Sequence, residues 1–549
     1  MVEARHFVVR GTVQGVGFRP FVARLASTHS LKGWVLNANR GVEIHVEGPS
    51  AALDAFASAI QVDAPAGANV VSIDAVATAH SGLDRFVIRD SEPSAMPTVR
   101  IAPDLPVCAD CLEEMRDNRA RRFEYPYINC TNCGPRFSVV TSLPYDRERT
   151  TMAAWPLCSV CSSEYLDPRD RRFHAEPVAC PACGPQYSLV EGATQHRGRA
   201  AVGRTAELLQ SGAIVAIKGI GGYHLSCDAR NRAAVRELRA RKYRKSKPFA
   251  VMTSDVAVAR SLVCMEPATE AMVTSRARPI VLVPARQSLP EVADSYRELG
   301  VMLPYAPIHH LLFEAGTPDV LVMTSGNRSS EPIAYGDDDA RIRLDGIADA
   351  FLVGERPIAR RVDDSVIRMS RAGPVVLRRA RGYAPDVTAR LPASRPILAV
   401  GADLKNTVTL VVDGDAIVSQ HLGDLEHLSA AQAFRATVHD LVSMYGLHWS
   451  ELVVAHDQHP QFATTAYAHE LRPHSRIPVQ HHRAHIASVL AERDALDKPV
   501  IGISCDGTGY GDDGSIWGCE FFVGSVQGGF ARAASLRPGS RSSTKQAWC

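Results

Sequence analysis

The chain carries almost no excess charge of either sign: 61 basic against 59 acidic residues in 549, a net charge of +2. Gripping a phosphate backbone or an anionic bilayer requires a surplus of lysine and arginine, so the balance argues against nucleic acid and membrane partners. No uninterrupted apolar run is long enough to span a bilayer, and the start, Met-Val-Glu-Ala-Arg-His, lacks the apolar segment of a secretory signal. Long-period repeats are also missing, apart from one in the cysteines. What is present is 46% hydrophobic residues, enough for ordinary cores, in a chain too long for a single core. Pro-rich or polar seams at residues 91–107, 192–203 and 386–396 mark four expected units: 1–90, 106–190, 200–386 and 396–549.

The cysteine repeat is the strongest signal. Cys108-x2-Cys111-x18-Cys130-x2-Cys133 recurs fifty residues on as Cys158-x2-Cys161-x18-Cys180-x2-Cys183, each copy closing on Cys-Gly-Pro. A Cys-x2-Cys knuckle aims two thiolates at one point, and two knuckles complete a closed S4 shell around zinc. With no position open for water, such a site builds structure and does no chemistry. The duplicated spacing argues against unpaired or disulfide-bonded cysteines, and it predicts a double C4 zinc-finger domain with two structural ions. Whether ligands cross between the copies is left open by spacing alone. Zinc thiolates suit a reducing compartment, so a cytoplasmic location is expected.

In the first unit, His6 to Val13 alternates as a strand should, and Gln14-Gly15-Val16-Gly17-Phe18-Arg19 leads into a helix opened by Pro20. A Gly-rich turn entering a helix presents backbone N–H groups to an anion, and Arg19 adds a planar fork of donors. Gly-Thr-Val-Gln-Gly-Val-Gly-Phe-Arg, followed by Gly33-Trp-Val-Leu-Asn37 and Gly41-Val-Glu-Ile, resembles acylphosphatase, a ferredoxin-like fold. That resemblance implies that Arg19 grips a phosphoryl group and Asn37 orients the attacking water.

In the third unit, a buried strand runs from Ala213 through Lys218 into Gly-Ile-Gly-Gly-Tyr-His224. The cationic run Arg-Lys242-Tyr-Arg244-Lys-Ser-Lys247-Pro-Phe reads most simply as a solvated helix face. With the later segments Met302 to His310, Thr324-Ser325-Gly-Asn327 and Asp363-Asp364-Ser-Val-Ile-Arg368, it resembles the YrdC/Sua5 family, α/β proteins that make acyl-adenylates from ATP. The resemblance implies that Lys242, Arg244 and Lys247 counter phosphate charge, with Mg accompanying ATP, and that Ser325 and Asn327 bond nucleotide or carbamoyl oxygens.

The fourth unit opens with a predicted hairpin over Ile397 to Asp415, turning at Asp-Gly. His481 and His485 fall at i,i+4 on a predicted helix, and Val500 to Asp506 reads as a buried strand ending in an acid before a Gly-rich loop. Two imidazoles and a carboxylate make a divalent metal site. The order of these motifs resembles the Kae1-type carbamoyltransferases of the actin-like ATPase architecture. The Ser/Arg-rich end after Ser535 has no apolar period and reads as disordered, so the fourth unit is expected to be incomplete, lacking the family's second subdomain.

Taken in order, the four units resemble the hydrogenase maturation carbamoyltransferases of the HypF family, multidomain proteins of mixed α/β and α+β class. That resemblance implies hydrolysis of carbamoyl phosphate, adenylation of carbamate with ATP to release AMP and diphosphate, and transfer to the C-terminal cysteine of a partner, HypE. The final transfer is expected to be impaired by the aberrant end. Rival readings are a tRNA threonylcarbamoyl-adenylate synthase, a small-molecule O-carbamoyltransferase, and a non-catalytic scaffold binding HypE. Neither of the first two needs an acylphosphatase or eight cysteines.

Overall fold

The computed structural model describes residues 2–38, 41–65, 67–90, 100–329 and 331–536. The chain divides into two compact units, Met1–Pro385 and Asp386–Cys549. Among the described residues no helix is long and apolar enough to cross a membrane.

The first unit begins with a five-stranded sheet in the spatial order Asn69–Ala77, Val2–Thr12, Gly41–Pro49, Lys32–Ala38, Phe86–Ile88. Helices Phe18–Thr28 and Ser50–Val62 bury Val22, Ala26, Leu53, Phe56 and Ile60 in a core with Phe7, Val9, Val35, Ile44 and Val46. The alternation read from His6 onward is this sheet's inward face.

The cysteine region packs on the rest of the unit through a shared core. Cys111, Met115, Tyr125 and Tyr127 join Leu209, Val215, Tyr305 and Leu352 in one cluster. Tyr127 stacks on Tyr187 with centroids 5.0 Å apart. The large sheet behind it has eleven strands, in the order Gly373–Arg378, Val366–Ser370, Ile280–Pro284, Glu298–Met302, Ala250–Thr253, Val320–Ser325, Tyr223–Asp228, Val215–Lys218, Ala350–Gly354, Tyr187–Glu191, Thr194–Arg197. The last of these lies within the seam expected at residues 192–203, which is therefore structured. Tyr187–Glu191 and Thr194–Arg197 form a hairpin on the sheet's edge, and helix Arg199–Gln210 follows at once. Within the polar stretch the tight turn is confined to residues 192 and 193, with Gly192 at a φ of 57°.

In the second unit, the stretch expected as a seam at residues 386–396 likewise contributes a strand. Val387–Arg390 pairs with Asp415–Val418 at the edge of a six-stranded sheet whose remaining members are Thr409–Val412, Ile397–Ala399, Val453–Asp457 and Ser475–Val479. The expected Asp-Gly turn joins Thr409–Val412 to Asp415–Val418, with Asp413 and Gly414 both at positive φ (50° and 80°), the geometry a two-residue hairpin needs. A separate three-stranded sheet, Val500–Tyr510, Ile516–Ser525 and Gly529–Ser535, packs against helix His481–Glu492 around Ile486, Leu490, Trp517 and Phe522. Most of the Ser/Arg-rich end, residues 537–549, lies outside the described residues.

Candidate active site and metal centres

Each quartet of cysteines closes within its own copy. Around Cys108, Cys111, Cys130 and Cys133 the Sγ–Sγ contacts run from 3.6 to 3.8 Å, and around Cys158, Cys161, Cys180 and Cys183 from 3.7 to 3.9 Å. A tetrahedral zinc with Zn–S near 2.3 Å has edges of about 3.8 Å, so the donors fit two structural zinc ions.

The copies nevertheless exchange their arginines. Four thiolates on one zinc leave a net charge of −2. Arg121 and Arg122 of the first copy donate to Cys161 of the second at 2.5 and 3.3 Å, and Arg122 also pairs with Glu164. Fifty residues on, Arg171 donates to Cys111 of the first copy at 2.8 Å, and Arg171 and Arg172 both reach Glu114. Each metal cluster is thus neutralised by the other copy. Arg171→Ala is expected to speed loss of the first cluster's zinc to a chelator, and Arg121→Ala that of the second, each by about 10–100-fold, the scale of outer-sphere effects on metal affinity. Chelator kinetics with one cluster disabled by substitution would tell the two apart; loss confined to the mutated copy's own zinc would contradict the exchange.

The glycine turn and its arginine sit under the fingers. Gly15 and Gly17 hold φ of 72° and 76°, and a Cβ on Gly15 would lie 3.1 Å from the Arg136 side chain, one on Gly17 3.2 Å from that of Thr131. Glycine is therefore required both for the backbone and for close approach of the finger domain. Gln14 and Val16 support the turn from behind. Gln14 donates to the carbonyls of Ala38 and Gly41 and accepts from the Tyr145 N–H, while Val16 and Phe18 are buried in the core. Arg19 is only 6% exposed; it donates to Glu176 at 2.7 Å and approaches Asp146 at 3.3 Å. Asn37 donates to the Tyr145 carbonyl at 3.2 Å, and its Oδ1 is buried with no hydrogen-bond partner among the described residues. These groups line a small cavity shared with His174 and Tyr145. Burial, reinforced by Arg19, lowers the His174 pKa to about 3, so that ring is neutral. Burial raises Glu176 despite the opposing charge of Arg19.

The cationic run of the third unit is not a helix face. Helix Arg232–Arg241 ends first, and the following loop folds onto itself. Lys242 is fully buried, donating to the carbonyls of Ser325 at 2.6 Å and Asn327 at 2.5 Å and to Asn327 Oδ1. Ser325 Oγ donates to the same Oδ1 at 3.0 Å. Three of the five proposed nucleotide residues thus form one cluster. Arg244 caps the carbonyls of Lys247 and Pro248 and stacks over Phe249, whereas Lys247 is exposed.

In the second unit, His481 Nε2 lies 2.8 Å from Asp506 Oδ2, and His485 Nε2 lies 3.7 Å from that oxygen and 3.2 Å from His481 Nε2. Such separations suit three ligands on one divalent ion. The strand expected to end at Asp506 continues to Tyr510, with its register shifting between Cys505 and Gly509; the bulge turns Asp506 toward the histidines. Sequence reasoning overlooked Asp457, which lies 2.6 Å from His481 Nδ1. A carboxylate on Nδ1 leaves Nε2 free for metal. Its signal was available, since Leu452 to Asp457 is another apolar strand ending in an acid. Asp457→Asn is expected to weaken metal binding about 10–100-fold in titrations of the apo protein; unchanged affinity would remove Asp457 from the centre.

Comparison with known proteins matches this architecture segment by segment. Family models match for Acylphosphatase (residues 5–88), HypF finger (107–140 and 157–190), Telomere recombination, the Sua5/YciO/YrdC model (207–380), HypF Kae1-like domain (392–492), and Carbamoyltransferase, Kae1-like Domain, second subdomain (502–548). The last match corrects the expectation that the second subdomain is wholly lacking: the match begins within the three-stranded sheet, and its residues from 537 on lie outside the described residues. Carbamoyltransferase HypF of Rhodobacter capsulatus is 45% identical over 98% of this chain and 72% of its own length. The Methanocaldococcus jannaschii relative, named a probable carbamoyltransferase HypF, is 39% identical over 94% and 68%. A full-length HypF in its phosphate- and nucleotide-bound form superposes with a TM-score of 0.94 at 43% identity, over 98% of this chain and 70% of that one. The fold and the sites define a zinc-bearing carbamoyltransferase with an acylphosphatase domain. The chain belongs to the HypF family, the carbamoyltransferases of hydrogenase maturation.

Proposed function

We propose that the chain converts carbamoyl phosphate and ATP into a carbamoyl group delivered to a protein thiol, in three steps. At the finger-covered cavity, water held by Asn37 attacks phosphorus while Arg19 holds the phosphoryl oxygens. The P–O bond to the carbamoyl group breaks, giving carbamate and phosphate. In the eleven-stranded unit, a carbamate oxygen attacks the α-phosphorus of Mg-bound ATP; diphosphate leaves and carbamoyl adenylate forms. Lys242, Arg244 and Lys247 are the cations for this step, and Ser325 and Asn327 the hydrogen-bonding groups. In the second unit, the C-terminal cysteine thiolate of HypE attacks the carbonyl carbon, expelling AMP; His481, His485 and Asp506 would hold a divalent metal, which would counter the phosphate charge of the nucleotide.

The observation that carries this reading is Arg19 and Asn37 brought together in a cavity that the finger domain closes, on the same unit as the Lys242–Ser325–Asn327 cluster. Carbamate decomposes in water, so hydrolysis in a covered site beside the adenylating unit has a chemical purpose. The zinc thiolates support a cytoplasmic setting. The test is incubation of the full chain with carbamoyl phosphate, ATP and HypE. Phosphate, diphosphate and AMP should appear, with a carbamoyl group on the terminal cysteine of HypE by mass spectrometry. Phosphate release with no diphosphate would refute the adenylation step, and diphosphate with unmodified HypE would refute the transfer.

A further inference from the structure

Two histidines of the Met1–Pro385 unit carry ring nitrogens that the steps above leave unused. His224, 4% exposed, stands directly opposite Ser325 in the antiparallel pairing of Tyr223–Asp228 with Val320–Ser325, so both side chains leave the same face of the sheet. Its Nε2 lies 2.8 Å from Asp364 Oδ2, and Arg381 Nε donates to the other oxygen of Asp364 at 2.8 Å. Burial opposes charge on Asp364, but Arg381 and His224 outweigh it and hold the carboxyl ionised. A carboxylate there accepts from Nε2–H, and in the tautomer so fixed Nδ1 is an acceptor. That Nδ1 is buried and has no hydrogen-bond partner among the described residues.

His309 is its complement. The Ala306 N–H donates to His309 Nδ1 at 3.4 Å, so the proton of the neutral ring sits on Nε2. Burial, followed by the neighbouring His224, pushes the His309 pKa well below its ordinary value, so the neutral ring is the relevant one. Its Nε2 is also buried and unpartnered among the described residues. The two rings stand edge to face with centroids 6.5 Å apart. A buried acceptor and a buried donor on neighbouring rings, neither satisfied, are costly unless a ligand supplies their complements.

We propose that His224 and His309 recognise the carbamate that this unit adenylates. The carbamate N–H donates to His224 Nδ1, and one carboxylate oxygen accepts from His309 Nε2–H. The inference rests on the adenylation step proposed above. Carbamate brings a donor and acceptors on a single carbon, and its second oxygen is left for the nucleotide beside Ser325. Glycine at 219 keeps that nitrogen uncrowded, since a Cβ there would lie 3.2 Å from His224 Nδ1. Acetate has similar size and charge but presents a methyl group where carbamate has its amino group, so it leaves His224 unsatisfied and is rejected. Asp364 and Arg381 are positioning residues, acting through His224.

The test uses the full zinc-loaded chain, ATP–diphosphate exchange, and freshly dissolved ammonium carbamate as the varied substrate. His224→Leu should raise the half-saturating carbamate concentration about 10–100-fold, the effect of one lost buried hydrogen bond. ATP binding and phosphate release from carbamoyl phosphate should stay within about twofold by the same reasoning, since neither uses this nitrogen. His224→Asn, which returns an acceptor near the position of Nδ1, should recover most of the loss. An unchanged carbamate requirement in His224→Leu, an equal loss of ATP binding, or no difference between the two variants would overturn the assignment. A wild type that exchanges normally while both variants match it sinks this inference alone. A wild type with no carbamate-dependent exchange sinks the adenylation step and this inference with it.

Discussion

Arg19→Ala should lower phosphate release from carbamoyl phosphate by about a thousandfold, the upper range for removing one group that stabilises transition-state charge. It should also destabilise the chain. Arg19 is the partner of Glu176, whose side chain is 1% exposed, and lies beside Asp146. Removing the guanidinium leaves the buried Glu176 carboxyl without its cation, held only by the Tyr165 hydroxyl and the Arg147 N–H, at a cost of about 3–5 kcal/mol. The two effects separate in Arg19→Ala/Glu176→Gln, which should regain most of the stability and none of the hydrolysis. Phosphate assays and denaturant melts on the wild type, the single and the double variant are sufficient. A double variant that recovers hydrolysis would mean that Arg19 acts only as a structural counter-ion. Asn37→Ala should spare substrate binding and slow turnover by about 10–100-fold, because it loses only the orientation of water.

Arg19, the eight cysteines and the histidine pair stand out in the sequence because each belongs to a local pattern: a glycine turn, a fixed spacing, an i,i+4 step; Asn37 enters only through the resemblance to acylphosphatase. Glu176, Asp146 and Tyr145 do not stand out, although they surround Arg19. Glu176 lies 157 positions away in sequence, and no periodicity links a helix N-terminus in one domain to a finger loop in another. The exchange of Arg121 and Arg171 between zinc clusters was hidden for a similar reason. The repeat announces two equivalent halves, but a one-dimensional spacing does not say which half faces which charge. The strands inside the seams at residues 192–203 and 386–396 were hidden for a different reason. Both are polar stretches on sheet edges, where one face and one side of a strand meet no core and apolar alternation fades. Composition alone would make the run ending in Lys247 a solvated helix face, and only the resemblance to the YrdC/Sua5 family set that reading aside. Burial of Lys242 depends on carbonyls from Ser325 and Asn327, more than eighty positions downstream.

Lys242→Met should reduce carbamate-dependent ATP–diphosphate exchange by about 10²–10³-fold while leaving phosphate release from carbamoyl phosphate intact. Burial, then the nearby charge of Arg244, draws the Lys242 pKa down to about 7, with Asp363 and Glu331 opposing. The amine is therefore only partly charged at neutral pH before nucleotide arrives. A triphosphate favours the ammonium form and raises that pKa, so binding must take up a proton. Below pH 7 the amine is already protonated and affinity should not depend on it. As pH rises above 7 the free protein loses the proton that the complex keeps, so affinity should fall, by at most about tenfold per pH unit. Calorimetry in two buffers of different ionisation enthalpy should find uptake of about half a proton at pH 7, rising toward one near pH 8.5. Lys242→Met should abolish that uptake. The contrary role is also physical: three acceptors from Ser325 and Asn327 surround Nζ, and a lysine that merely ties this turn would stay bonded to them whatever binds. In that case no proton is taken up, and Lys242→Met loses stability in proportion to exchange. Proton uptake that persists in Lys242→Met would transfer the role to another group of the site.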